Sequence, residues 1–278
     1  MLRAMLPKAR TVDPATLAQR LPAMQPAARD LDDFRRLTGQ HESAALSIVW
    51  PQVWGFRLQM ALLTDRAFPL PIWSALQVRN RLLQHAPVSA NGRCARAVRA
   101  RPARRVDKGV EVDLHSTLHD EHGVLAWESL TTFYWRGRGD AARTGAASPR
   151  AESPRIEGDV ITRWPSGTGS GWRFGTLTGD YNGLHSSDAY ARAFGFARAF
   201  HHPPRVAAQC LEHLGVDTNA PCQRLDLWIK GPVFYGAELE LRARRDAQAC
   251  AFALHVDADT RPALVGEWSI AAAGATLQ

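Results

Sequence analysis

The chain carries one supersecondary pattern twice, and this repeat constrains its fold more than any other feature. Residues 76–100 read LQVRNRLLQHAPVSANGRCARAVRA, and residues 109–135 read GVEVDLHSTLHDEHGVLAWESLTTFYW. Residues 225–245 read LDLWIKGPVFYGAELELRARR, and residues 249–273 read ACAFALHVDADTRPALVGEWSIAAA. Each set offers an apolar strand, a polar turn, two alternating strands, and a last strand containing a tryptophan, Trp127 or Trp268. In VEVDLHSTL and AFALHVDA the alternation has nearly the period of two that half-buried antiparallel strands require. HDEHG, residues 119–123, reads as a hairpin tip, because no further metal ligands are spaced near its two histidines. Two similar antiparallel halves are therefore expected.

Residues 136–155, RGRGDAARTGAASPRAESPR, lack apolar periodicity and read as a flexible linker. This divides the chain into an N-terminal half (1–135), the linker (136–155) and a C-terminal half (156–278). Helical signal is sparser. DPATLAQRL opens on Asp13 as a cap with Pro14 at the first helical position. DLDDFRRLTGQ places its acids early, its arginines late, and Gly39 as a stop. The clearest helix is PPRVAAQCLEHLG, where Val206, Cys210 and Leu214 form one stripe joined by Ala207 and Leu211, with Gly215 ending it. In the first half TDRAFPLPIWSALQVRN has two prolines and little room for a long helix, so that half reads as degenerate. The fold class is α+β, two antiparallel sheets each wrapped on a helix.

Composition excludes several classes. With 278 residues, 45% hydrophobic and 22% charged, the chain can form one large core or two smaller ones. No apolar run approaches the roughly 18 residues of a membrane span, and MLRAMLPKARTVDPATLAQRLPAM has neither the apolar core nor the cleavage site of a secretory signal. Cys94, Cys210, Cys222 and Cys250 are widely spaced among apolar neighbours, which points to free thiols in a reducing compartment and a cytoplasmic protein. The net charge of +7 is carried almost wholly by arginine and favours a polyanionic partner. The densest basic stretch, residues 93–109, alternates arginine with small residues, as a solvated strand face would. It has no interleaved aromatics to stack on bases, so nucleic acid is not expected as a partner.

The chemistry-bearing stretch is RFGTLTGDYNGLHSSDAYARAFGFARAFHHPP, residues 173–204. Asp180 and His185 stand five positions apart around Asn-Gly. Spacing alone allows two readings, a catalytic pair on a loop or the tip of a β-hairpin, since Asn-Gly is a strong hairpin signal. The neighbouring SGTGSG (166–171) has neither a nucleophile-elbow serine nor dinucleotide-binding glycine spacing, and reads as a loop.

Residues 171–196, GWRFGTLTGDYNGLHSSDAYARAFGF, resemble the signature of the MaoC-like dehydratases, the (R)-specific enoyl-CoA hydratase group of hot-dog folds. That pattern is a Gly-Asp-x-Asn-Pro-x-His loop, a short helical overhang ending Gly-Phe, then His-Gly before the central helix. Gly179, Asp180, Asn182 and His185 match the loop, and Gly195 and Phe196 match the overhang. The resemblance implies a double hot dog with a degenerate N-terminal half. It also implies reversible hydration of a trans-2-enoyl thioester of coenzyme A or acyl-carrier protein, without cofactor or metal, by a monomer or homodimer. Asp180 would be the general base on water and His185 would hold that water and help deliver its proton, with Asn182 and Gly179 fixing the loop. Trp54, Phe56, Phe68 and Trp73 would wall an acyl tunnel, and Trp164 and Trp172 would lie near an aromatic entrance.

Two departures bear on this reading. Gly183 replaces the family's proline and should loosen the loop. Pro203 replaces the glycine whose N–H is the family's oxyanion donor, and proline has no N–H. Losing such a donor costs about 3–4 kcal/mol in the barrier. His202, Arg205 and the positive end of the helix itself are the candidates to replace it. The alternatives are a thioesterase on the same fold and a non-catalytic acyl-thioester-binding protein.

Overall fold

The computed structural model describes residues 13–43, 45–106, 108–137 and 152–277. Most of the expected linker, residues 138–151, and the first twelve residues lie outside the described residues.

The N-terminal half supplies strands β1 (Ala18–Met24), β2 (Leu76–Gln84), β3 (Cys94–Ala100), β4 (Arg104–Val106), β5 (Gly109–His119) and β6 (Leu125–Arg136). The C-terminal half supplies β7 (Asp159–Pro165), β8 (Gln223–Ile229), β9 (Glu238–Arg245), β10 (Ala249–Val256) and β11 (Leu264–Ile270). All pair antiparallel in the order β1-β3-β5-β6-β2-β8-β11-β10-β9-β7, with the short β4 against β5. This order is symmetric about the β2–β8 pair, where Leu82 faces Leu225. The repeat read in the sequence is thus the repeat of the fold: β2, β3, β5 and β6 correspond to β8, β9, β10 and β11. HDEHG is a hairpin tip, closed by the bond from the Gly123 N–H to the Asp120 carbonyl at 3.0 Å. The two repeat tryptophans are buried with satisfied indoles, Trp127 donating to the Ile48 carbonyl (2.9 Å) and Trp268 to Gln223 Oε1 (3.0 Å).

Among the described residues five α-helices accompany the sheet: α1 (Ala28–Thr38), α2 (Trp50–Leu63), α3 (Gly171–Thr178), α4 (Asp188–Ala193) and α5 (Pro203–Leu214). In α5 the whole expected stripe is buried and Gly215 ends the helix in the left-handed region. Helix α1 ends as expected at Gly39.

Three expectations are corrected. Asp13 does cap a turn through Ala15 N–H, but only a 3-10 turn, Pro14–Thr16, forms before the chain enters edge strand β1. The first half does hold a long helix, α2, just upstream of the proline-rich segment 64–80. It escapes periodicity because it is buried nearly all round, leaving no polar stripe to mark a face. The basic stretch is not uniformly solvated: Arg96 and Arg99 are three apart and so point to opposite faces of β3. Arg96 is buried with its guanidinium 3.7 Å from the Trp54 ring centre, and Arg104 pairs with Asp113 and Glu111. Burial pulls Arg96 down to about 10.

The symmetry extends to the helices. Phe34–Gly39 and Phe174–Gly179 both read Phe-x-x-Leu-Thr-Gly. In each copy the Thr hydroxyl (Thr38, Thr178) donates to the Phe carbonyl four residues back and the glycine takes a left-handed C-cap, φ 76° and 72°. Helix α1 is therefore the counterpart of α3, and Gln40 stands where the second half has Asp180.

Candidate active site

The stretch around Asp180 is not a hairpin. It is a loop between α3 and α4, containing the 3-10 turn Gly183–His185. Gly179 turns the chain out of α3 at φ 72°, a conformation open to glycine at no steric cost. Asp180 Oδ1 then accepts from the Asn182 N–H (3.1 Å), and Asn182 Oδ1 accepts from the Leu184 N–H (3.1 Å). These two Asx turns set the loop.

They present Asp180 Oδ2 to His185 Nε2 at 3.6 Å. His185 Nδ1 lies 2.9 Å from the Phe200 carbonyl, which can only accept, so Nδ1 carries the proton in the neutral ring and Nε2 is left facing the carboxylate. A gap of 3.6 Å is too long for a direct hydrogen bond and suits a bridging water.

Gly183 does more than loosen the loop. A Cβ there would lie 2.7 Å from Tyr190 Cγ, so the missing side chain is the seat of the Tyr190 ring. That ring, Phe196 and Phe200 line the cavity onto which Asp180 and His185 open.

The cavity measures about 560 Å³ and draws its walls from both halves. The second half contributes the Gly179–His185 loop, Pro203, Val206 and the Ile229–Val233 turn. The first contributes Phe56, Arg57, Met60 and Ala61 of α2, together with Ile72, Trp73 and Phe133. Of the expected tunnel aromatics, Phe56 and Trp73 line it, whereas Trp54 and Phe68 are core residues. Trp172 is exposed beside Tyr181 (ring centres 5.5 Å apart), itself a wall residue; Trp164 packs on His213 instead.

His202 and Arg205 stand behind this wall. His202 is buried, its ring 3.7 Å from that of His185 and tilted by 25°, and its Nε2 donates to the Asp180 carbonyl at 3.2 Å. Burial, then the charge of His185, hold its pKa well below the usual histidine range, so the ring is neutral. Arg205 is fixed by the Leu37 carbonyl (2.8 Å), Ser170 Oγ and His201 Nδ1 (2.9 Å). Neither residue lines the cavity; both brace the loop and the entrance to α5. His201 is pushed down to about 3 by burial and then by Arg205. Helix α5 begins with two prolines, and the N–H groups of Arg205 and Val206 both donate to the His202 carbonyl. Its first turn therefore leaves a thioester oxygen the helix dipole but no free N–H.

Asp180, His185 and His202 bring potential ligand atoms within 4.8 Å of one another. One nitrogen of each ring is already engaged by a backbone carbonyl, His185 Nδ1 by that of Phe200 and His202 Nε2 by that of Asp180. The set does not fit a metal ion.

No family model matches the chain. It is 25% identical over 185 residues to 3-hydroxyacyl-thioester dehydratase X of Mycobacterium tuberculosis, an alignment covering 65% of this chain and 64% of that protein's length. The crystal structure of HtdX from the same organism superposes with a TM-score of 0.75 over 91% of this chain and 99% of its own, at 20% identity. A M. tuberculosis protein described as a double hot dog matches over 90% of this chain and 94% of its own (TM-score 0.55, 13% identity). The fold is a double hot dog. A MaoC-like dehydratase from Phytophthora capsici shares it, with a TM-score of 0.68 over 92% of this chain and 95% of its own at 17% identity. The resemblance to the MaoC-like dehydratases read from residues 171–196 is borne out.

Sequence reasoning found Phe56 on this wall but missed Arg57 and the helix, α2, that carries both. The Phe-x-x-Leu-Thr-Gly repeat would have found them, because it places a central helix shortly after Gly39 just as one follows Gly179.

Proposed function

We propose that this double hot dog adds water reversibly across the double bond of a trans-2-enoyl thioester of coenzyme A or acyl-carrier protein, giving the (R)-3-hydroxyacyl thioester. Residues 156–278 are the catalytic half, 1–135 the supporting half, and 136–155 the linker. One observation carries the reading: a carboxylate and an imidazole nitrogen 3.6 Å apart on the wall of a cavity otherwise largely apolar. Asp180 Oδ2 takes a proton from the held water as its oxygen bonds to C3. His185 Nε2, bare in this tautomer, accepts the water's other hydrogen bond and so orients it, then relays to C2 the proton that Asp180 has taken, leaving both side chains as they began; dehydration runs the same steps backward. Asn182 and Gly179 hold the loop. No helix among the described residues is long and apolar enough to cross a membrane. The four buried free cysteines suit the reducing cytoplasm.

Hydration of crotonyl-CoA and of a longer trans-2-enoyl-CoA, followed by loss of enoyl absorbance, tests this. Asp180→Asn and His185→Ala should each lower kcat by about 10²–10⁴-fold with the fold intact. Unchanged activity in either variant overturns the role of that residue. The α5 prolines support a second reading, a protein that binds acyl thioesters without turning them over; enoyl-CoA binding with no hydration at any chain length would establish it.

A further inference from the structure

Helix α3 is eight residues long and delivers the chain directly to Asp180. Carbonyls in its last turn have no partner within the helix. Two of them, at Thr176 and Leu177, are met from the other half of the molecule. Arg57, on α2, donates through Nε to the Leu177 carbonyl at 3.4 Å and through its terminal NH2 group to the Thr176 carbonyl. The same side chain passes so close to the hinge that a Cβ on Gly179 would lie 3.0 Å from Arg57 Cγ. Arg57 also lines the catalytic cavity with Asp180 and His185.

Helix α2 is a firm base for such a clamp. Gln52 and Gln59 are buried and hydrogen-bonded to Ser116, Ser129 and Thr131 of the first-half sheet, and Trp54 sits under the Arg96 guanidinium. The pseudo-twofold partner of the clamp exists as well: Arg205 of α5 donates to the Leu37 carbonyl at the end of α1. Each central helix thus caps the short helix of the opposite half, but only one of those short helices leads to a catalytic loop.

We infer that Arg57 is a positioning residue for hydration, a clamp by which the non-catalytic half fixes the start of the Asp180 loop. This rests on the function proposed above. Its planar fork can meet two successive carbonyls together, which a single ammonium cannot do in the same geometry. A displacement of about 1 Å in a catalytic group can cost on the order of a hundredfold in rate, so a loose hinge at Gly179 would be read in kcat.

The test compares wild type, Arg57→Ala and Arg57→Lys by crotonyl-CoA hydration and thermal unfolding, assayed well below the melting point of each variant. Arg57→Ala should lose about 10- to 100-fold in kcat, with KM changed by less than about threefold. Arg57→Lys should fall between the two. Low-millimolar guanidinium chloride should partly restore Arg57→Ala, and the same concentration of ammonium chloride should not. A kcat within twofold of wild type, or a loss confined to melting temperature, overturns the inference. Inactive wild type would instead overturn the hydratase reading, so the two failures are distinguishable.

Discussion

Two neighbouring histidines make the stability of this protein steeply dependent on mild acid. His201 and His202 are each 2% exposed, and burial holds both neutral, His201 at about 3 and His202 well below its ordinary value. In the unfolded chain each titrates near 6.5. Below that pH the unfolded state binds more protons than the native one, so stability rises with pH and falls as pH is lowered. The window runs from about pH 6.5 down to the folded value, near 3 for His201. At about 1.4 kcal/mol per pH unit, going from pH 7 to pH 5 removes about 2 kcal/mol for each histidine and about 4 kcal/mol for the pair. The depressed carboxyls of Asp113 and Glu128 start from ordinary values of 3.8 and 4.5, so they act mainly below the measured range of pH 7 to 5. Urea unfolding at pH 7, 6 and 5 measures the effect. The control is His201→Asn with His202→Gln, which keeps an acceptor toward Arg205 and a donor toward the Asp180 carbonyl but cannot titrate. That variant should be less stable at pH 7 yet lose little more by pH 5. If wild type loses less than about 1 kcal/mol over this range, or the double variant loses as much as wild type, the burial argument is wrong.

Three further outcomes follow from packing. Gly183→Ala drives a Cβ into the Tyr190 ring and should cost about 1–3 kcal/mol, an amount largely removed when Tyr190→Ala is combined with it; independent effects in that double-mutant cycle would refute the contact. Phe174→Ala empties a fully buried site between the core and the His202 ring, 5.1 Å away. It should cost about 3–5 kcal/mol in denaturant titration. Cys94, Cys210, Cys222 and Cys250 are buried and burial raises every one of their thiols, so a thiol reagent should label none in native protein at pH 8 and all four in denaturant.

The strands were legible because their signal is local. VEVDLHSTL and AFALHVDA alternate because one face of β5 and of β10 meets the core, and the two tryptophan strands occupy equivalent places in the order. Helix α5 was legible for a similar reason, since its other side keeps Gln209, Glu212 and His213 out of the core. Helix α2 was not, because Trp50, Pro51, Gln52, Val53, Trp54 and Phe56 are all buried and no period survives in such a run. The loop motif gave Asp180 and His185 but not what stands behind them. Only the fold shows that His202 turns its Nε2 to a backbone carbonyl, that Arg205 is spent on Leu37, and that Gly183 seats an aromatic ring.

After the two Phe-x-x-Leu-Thr-Gly copies the halves diverge, and only the second carries an Asp180–His185 pair. From Gly39 the first half reaches α2 at Trp50, whereas from Gly179 the second reaches α5 only at Pro203. The longer connection holds the Asx turns, His185 and the α4 overhang with Tyr190 and Phe196. The shorter one puts Gln40 at the position of Asp180, with its amide on the Ala208 carbonyl. A smaller cavity of about 220 Å³ is bordered by Gln40, His41 and the far end of α5, as the cavity onto which Asp180 and His185 open is bordered by α2. Each cavity thus pairs the loop of one half with the central helix of the other. The first half can lose its own loop chemistry without losing its place, because α2 still walls the cavity in which Asp180 and His185 stand.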